Sequence, residues 1–325
     1  MISIQLKECS SEVSQFGRQP LNPAKFQDAT HTIDGTPRAY VSLQKVETLW
    51  INTGTLCNLA CKTCYIESSP TNDALVYLTL AEVNAYLNEA SLLGAREIGF
   101  TGGEPFMNPD IIPMLSSALS REFEVLVLTN AMRPMRRFEK QLNMLQSEAG
   151  PRLKIRVSLD HYTKTLHEAE RGIGSWDIAI DGCKWLSDRD FYVAIAGRQM
   201  PHEVEEDARG GYAQMFTAHD LRVDAFNPSA LVLFPTLDDT IDVPEISEGC
   251  WDLLGISPSS MMCASSRMVV KRKGELRPTV VACTLIPYDE RFELGQALAD
   301  SQQAISLNHP HCARFCVLGG SSCSG

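Results

Sequence analysis

The residues of this chain best suited to chemistry are its cysteines. Eleven occur in 325 residues, at positions 9, 57, 61, 64, 183, 250, 263, 283, 312, 316 and 323. Cys57, Cys61 and Cys64 share one short loop with the spacing C-x3-C-x2-C. Three thiolates from one loop can hold three corners of a cubane [4Fe–4S] cluster. The fourth iron is then left for a ligand that is not protein, much as a catalytic metal site keeps a vacant position. Zinc is the competing reading, but zinc sites pair C-x2-C units with a fourth ligand nearby. This loop supplies none.

A second group closes the chain: Cys263, Cys283, Cys312, Cys316 and Cys323. Cys312-Ala-Arg-Phe-Cys316 reads as a helical turn with two thiols on one face. Met268 to Glu275 reads as a hairpin turning at Lys273-Gly274, with cysteines on either side. Five thiols suffice for one four-cysteine site. Spacing does not say which four ligate, and four cysteines would also satisfy zinc. Cys9, Cys183 and Cys250 stand apart and read as ordinary buried thiols.

A third segment, Gly99-Phe-Thr101-Gly102-Gly103-Glu104-Pro105-Phe106, carries two adjacent glycines. Lacking Cβ atoms, they let backbone and ligand approach closely. Taken alone, the segment also fits a plain strand-to-helix turn.

The elements that position these motifs alternate along the chain. Val46 to Asn52, Glu97 to Phe100, Val125 to Leu128, Leu153 to Ser158 and Tyr192 to Ala196 read as strands, with a sixth near 221–234. Between them, helices are expected from Thr79, whose Glu82 completes a capping box, then over about 108–120, 134–148 and 175–187. Strands alternating with helices imply βαβ crossovers and a parallel sheet. The motifs fall just after strand ends, where such folds place their sites, which favours a partial barrel over a doubly wound sheet. Residues 1–44 read as an irregular N-terminal extension, 45–240 as the barrel, and 241–325 as a small cysteine-rich domain.

Composition narrows the class. With 44% hydrophobic and 21% charged residues, the chain is an ordinary globular one. A formal net charge of −11 argues against a nucleic-acid partner. The basic run Arg133 to Arg137 is short enough to be a solvated helix end. No signal peptide is evident, and no apolar run approaches the ~18 residues of a membrane span. The expectation is a cytoplasmic protein, where clustered cysteines bind metal or do redox chemistry in preference to forming disulfides.

Together, the C-x3-C-x2-C loop after the first strand and Gly-Gly-Glu-Pro after the second resemble the radical SAM superfamily. The resemblance covers roughly residues 46–235. It implies an α/β fold, a partial (βα)6 TIM-like barrel. It also implies a [4Fe–4S] cluster on Cys57, Cys61 and Cys64, with S-adenosylmethionine (SAM) on the open iron. Gly102, Gly103, Glu104 and Pro105 would line the SAM amino group. One electron would cleave SAM to methionine and a 5′-deoxyadenosyl radical. Val157-Ser158-Leu-Asp160, Arg171-Gly-Ile-Gly174 and, more weakly, Thr129-Asn130 resemble the subgroup of sulfatase-maturating and peptide-modifying enzymes. By that similarity, Ser158 and Arg171 would hold the SAM carboxylate, and the planar fork of Arg suits a carboxylate. Surface pairing of Arg171 with Glu168 or Glu170 is the plainer alternative. Thr63 stands where the family usually has an aromatic residue, which leaves adenine packing to other groups such as Tyr65. The tail resembles SPASM and twitch auxiliary-cluster domains. Its five cysteines fit the twitch form, with one auxiliary [4Fe–4S] cluster.

The implied function is hydrogen abstraction from a small metabolite or peptide, with net oxidation, as a radical SAM oxidoreductase or maturase. An electron donor such as flavodoxin or ferredoxin would serve it. The alternative is a cluster-bearing electron-transfer or regulatory protein, which would not need Gly102 to Pro105 or Ser158. No catalytic acid or base can be named. Asp160, His161 and Tyr162 are candidates by their position at a strand end.

Overall fold

A computed structural model describes residues 19–200, 203–235 and 237–320. Its centre is an eight-stranded sheet. Six strands lie in it in chain order and parallel: β2 (Thr48–Asn52), β3 (Glu97–Thr101), β4 (Glu124–Thr129), β5 (Leu153–Ser158), β6 (Tyr192–Arg198) and β7 (Leu231–Phe234). Consecutive order without reversal is the winding of a barrel, whereas a doubly wound sheet reverses direction at a switch point. The crossover helices are α1 (Leu80–Leu93), α2 (Ile111–Ser120), α3 (Glu139–Ala149), α4 (Lys164–Arg171), α5 (Ser175–Ser187) and α6 (Glu205–Ala218). The capping box at Thr79 and Glu82 starts α1, as the sequence predicts.

Alternation along each strand sorts the side chains. Leu49, Ile51, Ile98, Phe100, Val125 and Val127 face the helices in one large core. Trp50, Leu126 and Leu128 face the other way, towards C-terminal residues Met262, Leu285 and Phe315. Gly99 lies opposite Trp50 in the register, and a Cβ there would meet the indole at 2.3 Å. That glycine makes room for the large ring on the concave face.

The C-terminal region is less separate than its composition suggests. β8 (Ser266–Val270) pairs parallel with β2, and β9 (Thr279–Val281) pairs antiparallel with β8. The expected hairpin thus extends the barrel's own sheet and supplies partners to the edge of β2. Its loop is longer than a tight turn. Lys273 donates to the Ala74 carbonyl and Val76 to the Lys271 carbonyl.

Residues of the expected N-terminal extension are likewise structured where described. β1 (Tyr40–Val41) pairs with β10 (Ile305–Ser306). Arg38 forms a buried ion pair with Glu245. Phe26, Ala39 and Val41 share a second core with Val243, Ile246, Cys263 and Ala313. Cys183 is a buried free thiol as expected, but Cys250, read as another, is disulfide-bonded. Cys9 and Cys323 lie outside the described residues. No helix among the described residues is long and apolar enough to cross a membrane.

Candidate active site

The three-cysteine loop leaves the end of β2 and folds against the turn that follows β3. Gly103 N–H donates to the Gly54 carbonyl at 2.7 Å, and Glu104 N–H to the Leu56 carbonyl at 3.1 Å. A Cβ on Gly103 would meet Leu56 O at 2.3 Å, and one on Gly102 would meet Gly54 O at 2.5 Å. Gly102 also has φ +141°, strained for any other residue. The glycine pair is therefore required by the cysteine loop's own backbone.

Cys57, Cys61 and Cys64 line one cavity together with Gly102, Gly103, Ser158 and Arg171. Glu104 and Pro105 are buried and do not line it. Glu104 accepts from Thr129 Oγ1 at 2.8 Å, Asn130 N–H at 2.9 Å and Phe106 N–H at 3.2 Å. It pins the turn after β3 to the end of β4. Burial pushes its carboxyl up to about 7, against these three donors.

Arg171 ends α4 and turns inward. Its Nε donates to Asp160 Oδ2 at 2.7 Å and its Nη2 to Oδ1 at 3.4 Å, so its partner is neither Glu168 nor Glu170. Arg198, at the end of β6, also reaches Asp160, at 3.5 Å. Burial raises the Asp160 carboxyl, but Arg171 and Arg198 outweigh it and hold the group below the usual range. Two guanidiniums on one carboxylate leave an excess positive charge at the cavity wall. Of the three strand-end candidates, Asp160 lines a cavity on the face of the sheet that carries Trp50 and Leu128. His161 stacks on Tyr162 at 4.0 Å, and Tyr162 donates to Glu203 at 2.9 Å.

Arg198 was not singled out from sequence. The strand was expected to end at Ala196, two residues short, and the strand-end rule applied to the true end would have found it.

A second cavity occupies the concave face of the sheet. It shares Tyr65, Thr101, Leu128, Ser158, Arg171 and Arg198 with the first. Its remaining wall is largely apolar, including Trp50, Phe234 and Leu285. Leu285 also lines a third cavity, walled by Cys263, Cys283, Cys312 and Cys316. Cys312 and Cys316 lie on one helical turn, of π type (Cys312–Val317), and Phe315 between them stacks on Phe234 of β7 at 5.5 Å. Tyr288 joins the two cysteine regions by donating to the Ile66 carbonyl at 2.8 Å.

Burial pushes Cys57 and Cys312 up to about 12 and Cys263 up to about 11. Loading metal must therefore release protons. Among the described residues no three His, Cys, Asp or Glu side chains converge closely enough for a single metal ion. The thiols line cavity walls instead.

Residues 51–209 match the model of the Radical SAM superfamily. That match and the relatives support radical SAM membership, with SAM and iron–sulfur binding. The chain is 27% identical over 273 residues to the antilisterial bacteriocin subtilosin biosynthesis protein AlbA of Bacillus subtilis, covering 78% of this chain and 58% of that protein. It is 26% identical over 135 residues to the mycofactocin maturase MftC of Mycobacterium tuberculosis, covering 42% of this chain and 33% of that one. The chain thus spans between a third and three fifths of these relatives' lengths. In fold it is similar to Streptococcus suis SuiB bound to precursor peptide SuiA, with TM-score 0.59 at 13% identity, covering 81% of this chain and 66% of that one.

Proposed function

We propose that this protein is a radical SAM enzyme that abstracts hydrogen from a peptide substrate and leaves it oxidised, using one auxiliary cluster. The observation that carries the reading is the run of three adjoining cavities. The three-thiol cavity shares Ser158, Arg171 and Arg198 with the concave-face cavity, which meets the four-thiol cavity at Leu285.

Cys57, Cys61 and Cys64 would hold the first cluster, which with SAM supplies a 5′-deoxyadenosyl radical. Arg171 and Ser158 would hold the SAM carboxylate, with Gly102 and Gly103 beside its amino group. The concave-face cavity would take the reacting part of the substrate and keep it from water between Trp50, Leu128 and Phe234. Cys263, Cys283, Cys312 and Cys316 would hold the auxiliary cluster, an electron acceptor beside the substrate. Buried Arg267 braces the backbone beside Cys263, donating to the carbonyls of Cys263 at 2.6 Å, Ser266 at 2.8 Å and Ser301 at 2.9 Å. A cluster spreads its ligands around a cage, which suits thiols that line a wall better than a single zinc ion does.

A peptide substrate is favoured over a small metabolite because AlbA and MftC are named for bacteriocin biosynthesis and mycofactocin maturation, and SuiB is seen with a precursor peptide. The test is anaerobic reconstitution and reduction with SAM. About eight irons per chain and slow release of 5′-deoxyadenosine are expected. Cys57, Cys61 and Cys64 changed together to Ala should remove about half the iron and all SAM cleavage. A preparation that binds zinc, holds no iron and leaves SAM intact would overturn the reading.

A further inference from the structure

The four-thiol cavity has one polar side chain that the reading above leaves unused. Apart from the cysteines its wall is aliphatic or methionine, Leu285 and Ile305 among them, except for the imidazole of His311. His311 is 7% exposed, and its Nδ1 is buried with no hydrogen-bond partner. The backbone N–H of His311 donates to His309 Nδ1 at 3.1 Å, and the two imidazole rings pack at 4.9 Å. His311 is also the N-cap of the turn that carries Cys312 and Cys316. A buried ring nitrogen without a hydrogen-bond partner is costly, and this one belongs to a residue that lines the cavity.

We propose that His311 donates a hydrogen bond from Nδ1 to a sulfur of the auxiliary cluster held by Cys263, Cys283, Cys312 and Cys316, and so raises that cluster's reduction potential. The inference rests on the auxiliary-cluster reading. Its physical basis is that the reduced cluster carries more negative charge on its sulfurs, so a donor stabilises the reduced state more. A raised potential suits an electron acceptor. His311 would be a positioning and tuning residue, without itself bonding to iron.

The experiment uses the full chain with Cys57, Cys61 and Cys64 changed to Ala, so that only the tail holds iron. Pulsed electron paramagnetic resonance on the reduced, histidine-15N-labelled protein should show a weak nitrogen coupling. His311→Leu should remove it and lower the midpoint potential by roughly a tenfold change in the reduction equilibrium, about 59 mV for one electron. His311→Asn, whose amide nitrogen reaches the Nδ1 position, should restore most of the potential. The coupling is read on protein that keeps His311, so a misfolded Leu variant does not blunt the test. Iron present but no nitrogen coupling overturns this inference alone, as does an unchanged potential in His311→Leu. A strong coupling typical of a direct iron–nitrogen bond also overturns it. No iron at all in the Cys57/Cys61/Cys64 variant overturns the auxiliary-cluster reading, and this inference with it.

Discussion

Thr63 donates from Oγ1 to Glu170 Oε2 at 2.8 Å, and the neighbouring Lys62 N–H donates to the Glu170 carbonyl at 3.0 Å. The residue just before the third cysteine is thereby tied to the residue just before Arg171. Two hydrogen bonds thus join the cysteine loop to the end of α4. Thr63→Val should uncouple them, losing a hydrogen bond to a charged group worth about 1.5–3 kcal/mol when buried, and less at this half-buried site. The expected outcome is severalfold faster bleaching of the visible iron–sulfur absorbance under a chelator. Thr63→Ser should behave like the parent.

Gly103→Ala is expected to be more damaging than its size suggests. The added methyl would sit 2.3 Å from the Leu56 carbonyl oxygen, which is backbone and cannot rotate away. The cysteine loop must shift, with loss of the first cluster's iron. The barrel itself should persist, because α1, α2 and their strands pack elsewhere in the core. Circular dichroism with iron analysis checks both halves.

Arg171→Ala should weaken SAM binding by about 1.5–3 kcal/mol, the scale of a charged hydrogen bond. It should also lower thermal stability, since it leaves the buried Asp160 with only the longer contact to Arg198. Adding Asp160→Asn should recover stability without recovering SAM affinity. Calorimetric titration and melting curves separate the two effects. Equal SAM affinity in parent and Arg171→Ala would remove Arg171 from the carboxylate site.

Glu104 supplies a pH signature. Its carboxyl is held near 7 in the fold, above the ordinary unfolded value of about 4.3. Its contribution is complete below that unfolded value and is lost as pH rises through about 7, on the order of 3 kcal/mol. Melting temperature of the metal-free protein should therefore fall from about pH 4.5 to 7 by more in the parent than in Glu104→Gln. A parallel pair of curves would mean that the Thr129, Asn130 and Phe106 donors keep Glu104 ionised throughout.

Much of this protein was legible in its sequence. Strands β2 to β6 follow from apolar runs bounded by turn residues, and the start of α1 from the Thr79–Glu82 box. These signals are local, so no distant contact is needed to read them. The spacing of Cys57, Cys61 and Cys64 likewise sets a chemistry, because one loop must present all three thiols together. Only the tertiary structure decided what the local signals meet. Sequence could not show that Glu104 accepts from Thr129 and Asn130 at the end of β4, because that depends on where the ends of neighbouring strands lie. Nor could it show that β8 docks on β2 and carries the tail to the concave face, a parallel pairing between segments more than 200 residues apart in the chain. The sharing of Asp160 by Arg171 and Arg198, and the place of His311 beside four thiols, have the same origin. Charge, burial and cavity walls are set by residues brought together from different elements, and no spacing along the chain encodes them.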